Sequence, residues 1–172
     1  ALVARAPALS STNLGPGRNK LFVRGVADSS FNGPTPATVA QYFGEVRLNY
    51  AAPDPNLNLY DVGGVEILEG PQGTLYGSAA IGGIVRLVPN GPVLGETTAA
   101  TEAGVLATEK GGTGGDAAAV LNLPLGSRAA VRAVGYGVFS PGYIDDIGRG
   151  RKDVNRTKNY GARIALRYDP AQ

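Results

Sequence analysis

Between residues 160 and 168 the chain reads Tyr-Gly-Ala-Arg-Ile-Ala-Leu-Arg-Tyr, an alternation without a break. Successive side chains of a strand point to opposite faces, so Tyr160, Ala162, Ile164, Leu166 and Tyr168 share one side and Gly161, Arg163, Ala165 and Arg167 the other. One wholly apolar face bounded by tyrosines, backed by a face that carries arginine, is the pattern of a bilayer-crossing strand with aromatic girdles and a polar lumen. Eight steps at about 3.3 Å reach roughly 26 Å, which nearly crosses the apolar band of a tilted barrel wall. A half-buried strand in a soluble sandwich has the same alternation, and this stretch alone leaves both readings open.

Three earlier segments repeat the pattern less cleanly: residues 98–108, residues 117–125 with Ala117, Ala119, Leu121, Leu123 and Leu125 on one face, and residues 128–139. They are joined by residues 109–116, then by only Gly126 and Ser127, then by a long loop over 140–159. Bacterial outer-membrane barrels alternate short periplasmic turns with longer external loops, and this order fits if residue 97 begins on the periplasmic side, with Asp169 and Pro170 as the next short turn. Four strands cannot close a barrel, since the smallest such barrels have eight.

The chain ahead of these strands has a different character. Val88-Pro-Asn-Gly-Pro92 joins several breakers and sets a boundary, giving a first domain over 1–92 and a second over 93–172. Leu, Ile, Val and Phe make up roughly a quarter of the 172 residues, above the roughly 20% under which chains tend to stay disordered. The 26 glycines and 12 prolines, without a repeat period, announce many turns. Residues 20–26 read as a strand with Leu21, Val23 and Val26 inward, followed by a polar loop over 28–36. Residues 38–48 read as a further extended segment; a helix over 38–43 is the rival, and Gly44 with the β-branched and aromatic content favours strand. Asp54 followed by Pro55 offers a helix cap and a first helical position, so residues 56–61 are expected to form one helical turn. Residues 65–68 and 84–88 are compact apolar runs of strand length, separated by a Gly-rich stretch over 70–83.

Composition removes much chemistry. With no Cys and no His, the chain has no disulfide, thiolate nucleophile, imidazole base or ordinary zinc site. A net charge of +2 does not point to nucleic acid. No run approaches the roughly 18 apolar residues of a spanning helix, and the opening residues do not form a signal peptide. The glycines over 70–83 lack the Lys-Ser/Thr of a phosphate-binding loop and the strand-to-helix setting of a dinucleotide fingerprint, so tight turns and close backbone approach account for them. Asp54, Asn56 and Asn58 resemble the opening of a calcium loop, but Leu59 stands where glycine is needed and Val65 where the bidentate Glu is needed. Asp145 and Asp146 offer paired carboxylates for acid–base work; among Arg149, Arg151, Lys152, Asp153, Arg156 and Lys158 they read as part of a solvated, mostly basic loop that suits an anionic ligand or lipid headgroup.

The stretch Asn58-Leu-Tyr-Asp-Val-Gly-Gly-Val-Glu-Ile-Leu-Glu-Gly-Pro-Gln-Gly-Thr-Leu-Tyr-Gly77 resembles the plug domain of TonB-dependent outer-membrane receptors, and the resemblance continues through Gly82-Gly-Ile-Val-Arg-Leu-Val-Pro89. Upstream, Leu21-Phe-Val-Arg-Gly25 is similar to the family's strand ending in Arg-Gly, and Tyr42-Phe-Gly-Glu-Val46 to its Tyr-Val-Asp-Gly-Val stretch. The resemblance implies an α+β fold: a globular plug with a small mixed sheet and short helices, then antiparallel amphipathic strands of an incomplete outer-membrane β-barrel. It implies a receptor, not an enzyme, in the outer membrane of a Gram-negative bacterium. Such a receptor imports a scarce ligand such as a ferric siderophore, cobalamin or glycan, with energy supplied through TonB. Its partners would be TonB, through a segment this chain lacks, the remainder of the barrel and outer-membrane lipid, with no nucleic acid and no cofactor.

Arg24, Gly25, Gly70, Pro71, Gly73, Tyr76, Gly77, Gly82 and Gly83 match the family's motif and are assigned to plug architecture. Ser29, Ser30, Phe31 and Asn32 in the 28–36 loop, Ser78 in the 78–80 loop, and the 51–56 loop are the candidates for ligand contact. Gly63 and Gly64 stand where the family commonly has Glu-Arg, and Glu69 where it often has Arg, a departure at the positions whose charges contact barrel-wall carboxylates in relatives. The chain lacks an initiator Met and reads as an excerpt that starts inside the plug. A structural protein whose copies pair through exposed strand edges is the alternative reading.

Overall fold

The computed structural model describes residues 6–13, 18–27, 35–51, 53–77, 80–109 and 111–170. Two compact units divide the chain, Ala1–Asn90 and Gly91–Gln172. In the first lie β1 (Leu9–Asn13), β2 (Asn19–Val23), β3 (Val39–Phe43), β4 (Val46–Arg47), β5 (Val62–Glu69), the short helix α1 (Gly73–Tyr76) and β6 (Gly83–Pro89). In the second lie β7 (Thr98–Ala107), β8 (Thr113–Pro124), β9 (Ala129–Ser140), a 3-10 turn at Ile147–Arg149, and β10 (Thr157–Tyr168).

The first unit is built on a mixed four-stranded sheet ordered β4-β3-β6-β5, with β3 and β6 parallel and the other pairs antiparallel. Alternation along β3 supplies two cores at once. Val39 joins Val85 with Leu9, Leu21 and Val23 of the β1–β2 hairpin, while Ala40 and Tyr42 join Ile84 and Ala80 on the opposite face. Both faces of β3 and β6 are therefore covered, which is why Ile84, Val85 and Leu87 are all buried although successive side chains point to opposite faces. Each buried aliphatic side chain contributes about 1.5–3 kcal/mol relative to an exposed one.

The second unit is an antiparallel meander, β7 to β10 in chain order. Its register sorts the side chains. Tyr160 faces Gly137, Ile164 faces Ala133 and Leu166 faces Val131 across β10 and β9. On the same face Gly137, Ala133 and Val131 meet Ala117, Leu121 and Leu123 of β8, and Leu121 meets Ala99 of β7. The opposite face carries Arg163, Arg167, Arg132, Asn159, Asp116, Asn122 and Glu102. Tyr136 lies over Gly161 on this polar side, where a Cβ would run into its ring. Asn122 is fully buried; its amide donates to the carbonyls of Val93 (2.9 Å) and Glu96, and its carbonyl accepts from Val93 N–H (2.9 Å), tying the 93–96 segment to β8.

Several expectations need correction. Val26 is not inward but 43% exposed, because the chain reverses at Arg24 and Gly25 before reaching it. Residues 38–48 are not one strand: Gly44, at φ +59, opens a two-residue hairpin loop between β3 and β4, the positive φ that a type II′ connection places there. Residues 56–61 form no helix. Asp54 is held in an isolated bridge with Asn19, so its side chain turns into the core and does not cap a following turn. The one α-helical turn among the described residues is α1, inside the Gly-rich stretch. β8 starts at Thr113 and β10 at Thr157, so the connections before them are shorter than the composition suggests.

Candidate functional site

The Gly-rich stretch runs from the end of β5 through α1 to the start of β6. Gly70 and Gly77 take φ +81 and +75, values that an L side chain rarely adopts. The loop is pinned at its base: Gln72 N–H donates to Ala80 C=O (2.9 Å) and Gly82 N–H to Thr38 C=O (2.9 Å). Tyr76, at the end of α1, packs edge-on against Tyr42 with ring centroids 5.5 Å apart, and the Tyr42 hydroxyl donates to Tyr76 C=O at 3.3 Å. Gly82 and Gly83 face backbone and Val side chains so closely that neither leaves ordinary room for a Cβ. Pro71 and Gly73 are exposed.

Charges line the edges of this unit. Arg24 and Gly25 occupy the two central positions of a tight reversal, at φ +50 and +79, with Val23 and Val26 exchanging backbone hydrogen bonds. Two successive positive φ values define a type I′ turn, in which a non-glycine residue costs about 1–2 kcal/mol. Arg24 Nε stands 3.7 Å from Glu69 Oε2. On β6, Arg86 donates to Gly44 C=O (2.9 Å), to Glu66 (3.1 Å) and to Glu45. Burial alone would lower its pKa, but the charge of Glu45 and then the hydrogen bond and charge of Glu66 outweigh it and hold the guanidinium above its ordinary value. Arg86 thereby links β6 to β5 and to the turn between β3 and β4 through one planar group.

Beneath β3 lies a polar cluster that the sequence did not announce. Asp54, 4% exposed, accepts from Leu21 N–H (2.9 Å) and from the Asn49 amide (2.7 Å). Asn49 also donates to Val39 C=O (3.0 Å) and accepts from Gln41 N–H (2.8 Å). Hydrogen bonding is the condition for burying such groups at all. Asp-Pro and Asn read locally as turn formers, and only the non-local pairing of Asn19 with Asp54 could have revealed their burial.

The description TonB-dependent Receptor Plug Domain matches residues 1–84. The first unit belongs to that plug family. Among solved structures, the chain is similar to the ferric yersiniabactin uptake receptor FyuA from Yersinia pestis, with a TM-score of 0.76 and 24% identity over 96% of this chain and 25% of that one. It is also similar to the copper transporter OprC, with a TM-score of 0.68 and 18% identity over 96% of this chain and 24% of that one. No curated protein matches by sequence. The chain spans about a quarter of the length of these structural relatives, and its fold is a plug followed by part of a barrel wall. The plug family is one of receptors, not of enzymes.

Within the plug, the motif residues fall into three places. Gly70, Pro71, Gly73, Tyr76 and Gly77 form the loop around α1, Gly82 and Gly83 lead into β6, and Arg24 and Gly25 make the turn that reaches Glu69. Ser29, Ser30, Phe31, Asn32 and Ser78 lie outside the described residues. In the long loop, Asp145 accepts from Asp153 N–H (3.0 Å), while Asp146 accepts from Arg149 N–H (3.1 Å) and caps the 3-10 turn. These two carboxylates shape the loop.

Proposed function

We propose that the chain forms the plug and leading barrel strands of a receptor that imports a scarce ligand across the outer membrane of a Gram-negative bacterium, energised through TonB. The observation that carries this reading is the separation of faces in the second unit. Over β7 to β10 the register collects Tyr160, Ile164, Leu166, Leu121, Leu123 and Ala99 on one side and three arginines, Asp116 and Glu102 on the other. Tyr160, Ile164, Leu166 and Tyr168 are between 64% and 84% exposed, an apolar patch that water does not favour and hydrocarbon does. The plug family of the first unit agrees with this, and the nine motif residues serve plug architecture.

A metal-bearing cargo of the ferric-siderophore kind is the ligand class we favour, because the two solved relatives are named for ferric yersiniabactin uptake and copper transport. Cobalamin and glycans are the competing classes. Loop residues 28–36 supply the ligand contact in this reading. Uptake of labelled ferric siderophores by cells dependent on the full-length receptor tests it, with a variant deleted over 28–36: uptake that requires the receptor and weakens in the variant is expected. Unchanged binding after deletion would remove the loop from the site. Growth of the same cells unaffected by loss of the receptor, on every metal source tried, would remove the transport role.

A further inference from the structure

We propose that Asn90 is a self-modifying site, an asparagine whose side chain condenses with the Gly91 amide, and that Asp61 slows the reaction by holding that side chain. Asn90 closes one compact unit and Gly91 opens the next. In the reaction Gly91 N attacks Asn90 Cγ, the new C–N bond closes a succinimide ring, and the Cγ–Nδ2 bond breaks as ammonia leaves with the proton from Gly91 N. Water then opens the ring at either carbonyl, giving aspartate or isoaspartate at position 90. Water is the only co-reactant, and the inference stands whatever the receptor imports.

Gly91 is suited to the attack. It is exposed, nothing lies within 4 Å of where its Cβ would stand, and among the described residues its N–H has no hydrogen-bond partner. Without a side chain its backbone turns freely toward the Asn90 carboxamide. Asn90 is the restrained half of the pair. Its backbone N–H donates to Asp61 C=O (3.1 Å) and its Nδ2 to Asp61 Oδ1 (2.9 Å). Asp61 holds φ +54, a left-handed conformation that aspartate tolerates better than most residues. Gly63 leaves the notch for the other end of the carboxamide, since a Cβ there would come 2.6 Å from Asn90 Oδ1. The leaving nitrogen is thus tied to a carboxylate, and that tie must break before Cγ swings onto Gly91. After conversion a carboxylate replaces the amide donor beside Asp61, so attraction turns into like-charge repulsion at the end of the β5–β6 pair, where Val62 meets Pro89.

The test ages the full-length receptor carrying this chain in mildly alkaline buffer, folded and in denaturant, and follows position 90 by peptide mass mapping with isoaspartate detection. Asn32-Gly33 repeats the residue pair, so the map must separate the two peptides. In the folded receptor D61G, which suits the positive φ and removes the acceptor, is expected to convert about tenfold faster than wild type, the factor that one charge-assisted hydrogen bond supplies. D61N, which keeps an oxygen acceptor without the charge, should fall between the two. Amide exchange over β3 and β6 checks that D61G folds; if it does not, D61N against wild type carries the comparison. In denaturant all three should convert alike, and G91A roughly tenfold more slowly. Equal rates for the folded wild type and the Asp61 variants would overturn the guarding role, as would a D61G excess that persists in denaturant. No conversion at position 90 in denatured wild type, or G91A converting as fast as wild type there, would overturn the site itself.

Discussion

The carbonyl oxygen of Leu68 fills the space into which a side chain on Gly83 would project, since a Cβ there would fall within 3.0 Å of it. Gly83 also adopts φ +141, which only glycine takes readily. Gly83→Ala is therefore expected to destabilise the plug by roughly 2–4 kcal/mol, through displaced β5 backbone and strained dihedrals. Gly73→Ala serves as the contrast. Nothing lies within 4 Å of a Cβ at Gly73, and it opens α1, so the change should stay within about 1 kcal/mol and stabilise if anything. Denaturant melts of the two variants check this, and equal losses would contradict it.

Asp54 is the hub of the buried polar cluster. Asp54→Ala strands the N–H of Leu21 and one amide hydrogen of Asn49 in a region closed to water. Each unmet buried donor costs about 1–3 kcal/mol, so a total loss of roughly 2–6 kcal/mol is expected. Hydrogen exchange at the Leu21 amide gives a local readout: protection should fall in the variant more than at Val85, which keeps its own ladder in β6.

Much of the second unit was legible because period-2 alternation needs no knowledge of distant partners. Tyr160 to Tyr168 announced both the strand and its two faces, and the register later aligned Leu121 and Ala133 with Ile164 as the pattern implies. The plug was harder. Leu9–Asn13 is short and mostly polar, and becomes a strand only because Leu9 meets Val23 across the hairpin. The reversals at Gly44 and Arg24 broke segments that composition alone shows as continuous. Gly73 and Gly83 look alike in a motif, yet only the second is hemmed in, a distinction that depends on Leu68 approaching from β5. Asp54 looked like a cap because its local sequence is that of a cap; its burial follows from the pairing with Asn19, far away in the chain.

Asp169 sits just past β10, with Oδ2 2.8 Å from Arg167 Nη2. The hydrogen bond from Arg167, more than its charge, lowers the carboxyl pKa against a smaller opposing effect of burial. A depressed folded-state value means the pair's contribution is present above the unfolded carboxylate value near 3.9 and is lost as pH falls through the folded value. Carboxyl carbon NMR should show Asp169 titrating below the ordinary aspartate range in the folded chain. Arg167→Gln should return it to that range. A midpoint unchanged by the substitution would dissociate the two groups.

These 172 residues hold no cysteine, which opens the most direct test of the account: in a full-length receptor cleared of any cysteine elsewhere, a single Cys introduced at each position from 160 to 168 carries the only spin label. In the full-length receptor reconstituted into vesicles, labels at 160, 162, 164, 166 and 168 should collide readily with membrane-dissolved oxygen and poorly with a water-soluble nickel chelate. Labels at 161, 163, 165 and 167 should reverse that preference, giving a two-residue period. Uniform access of nickel, or no period along the strand, would contradict a barrel wall facing lipid.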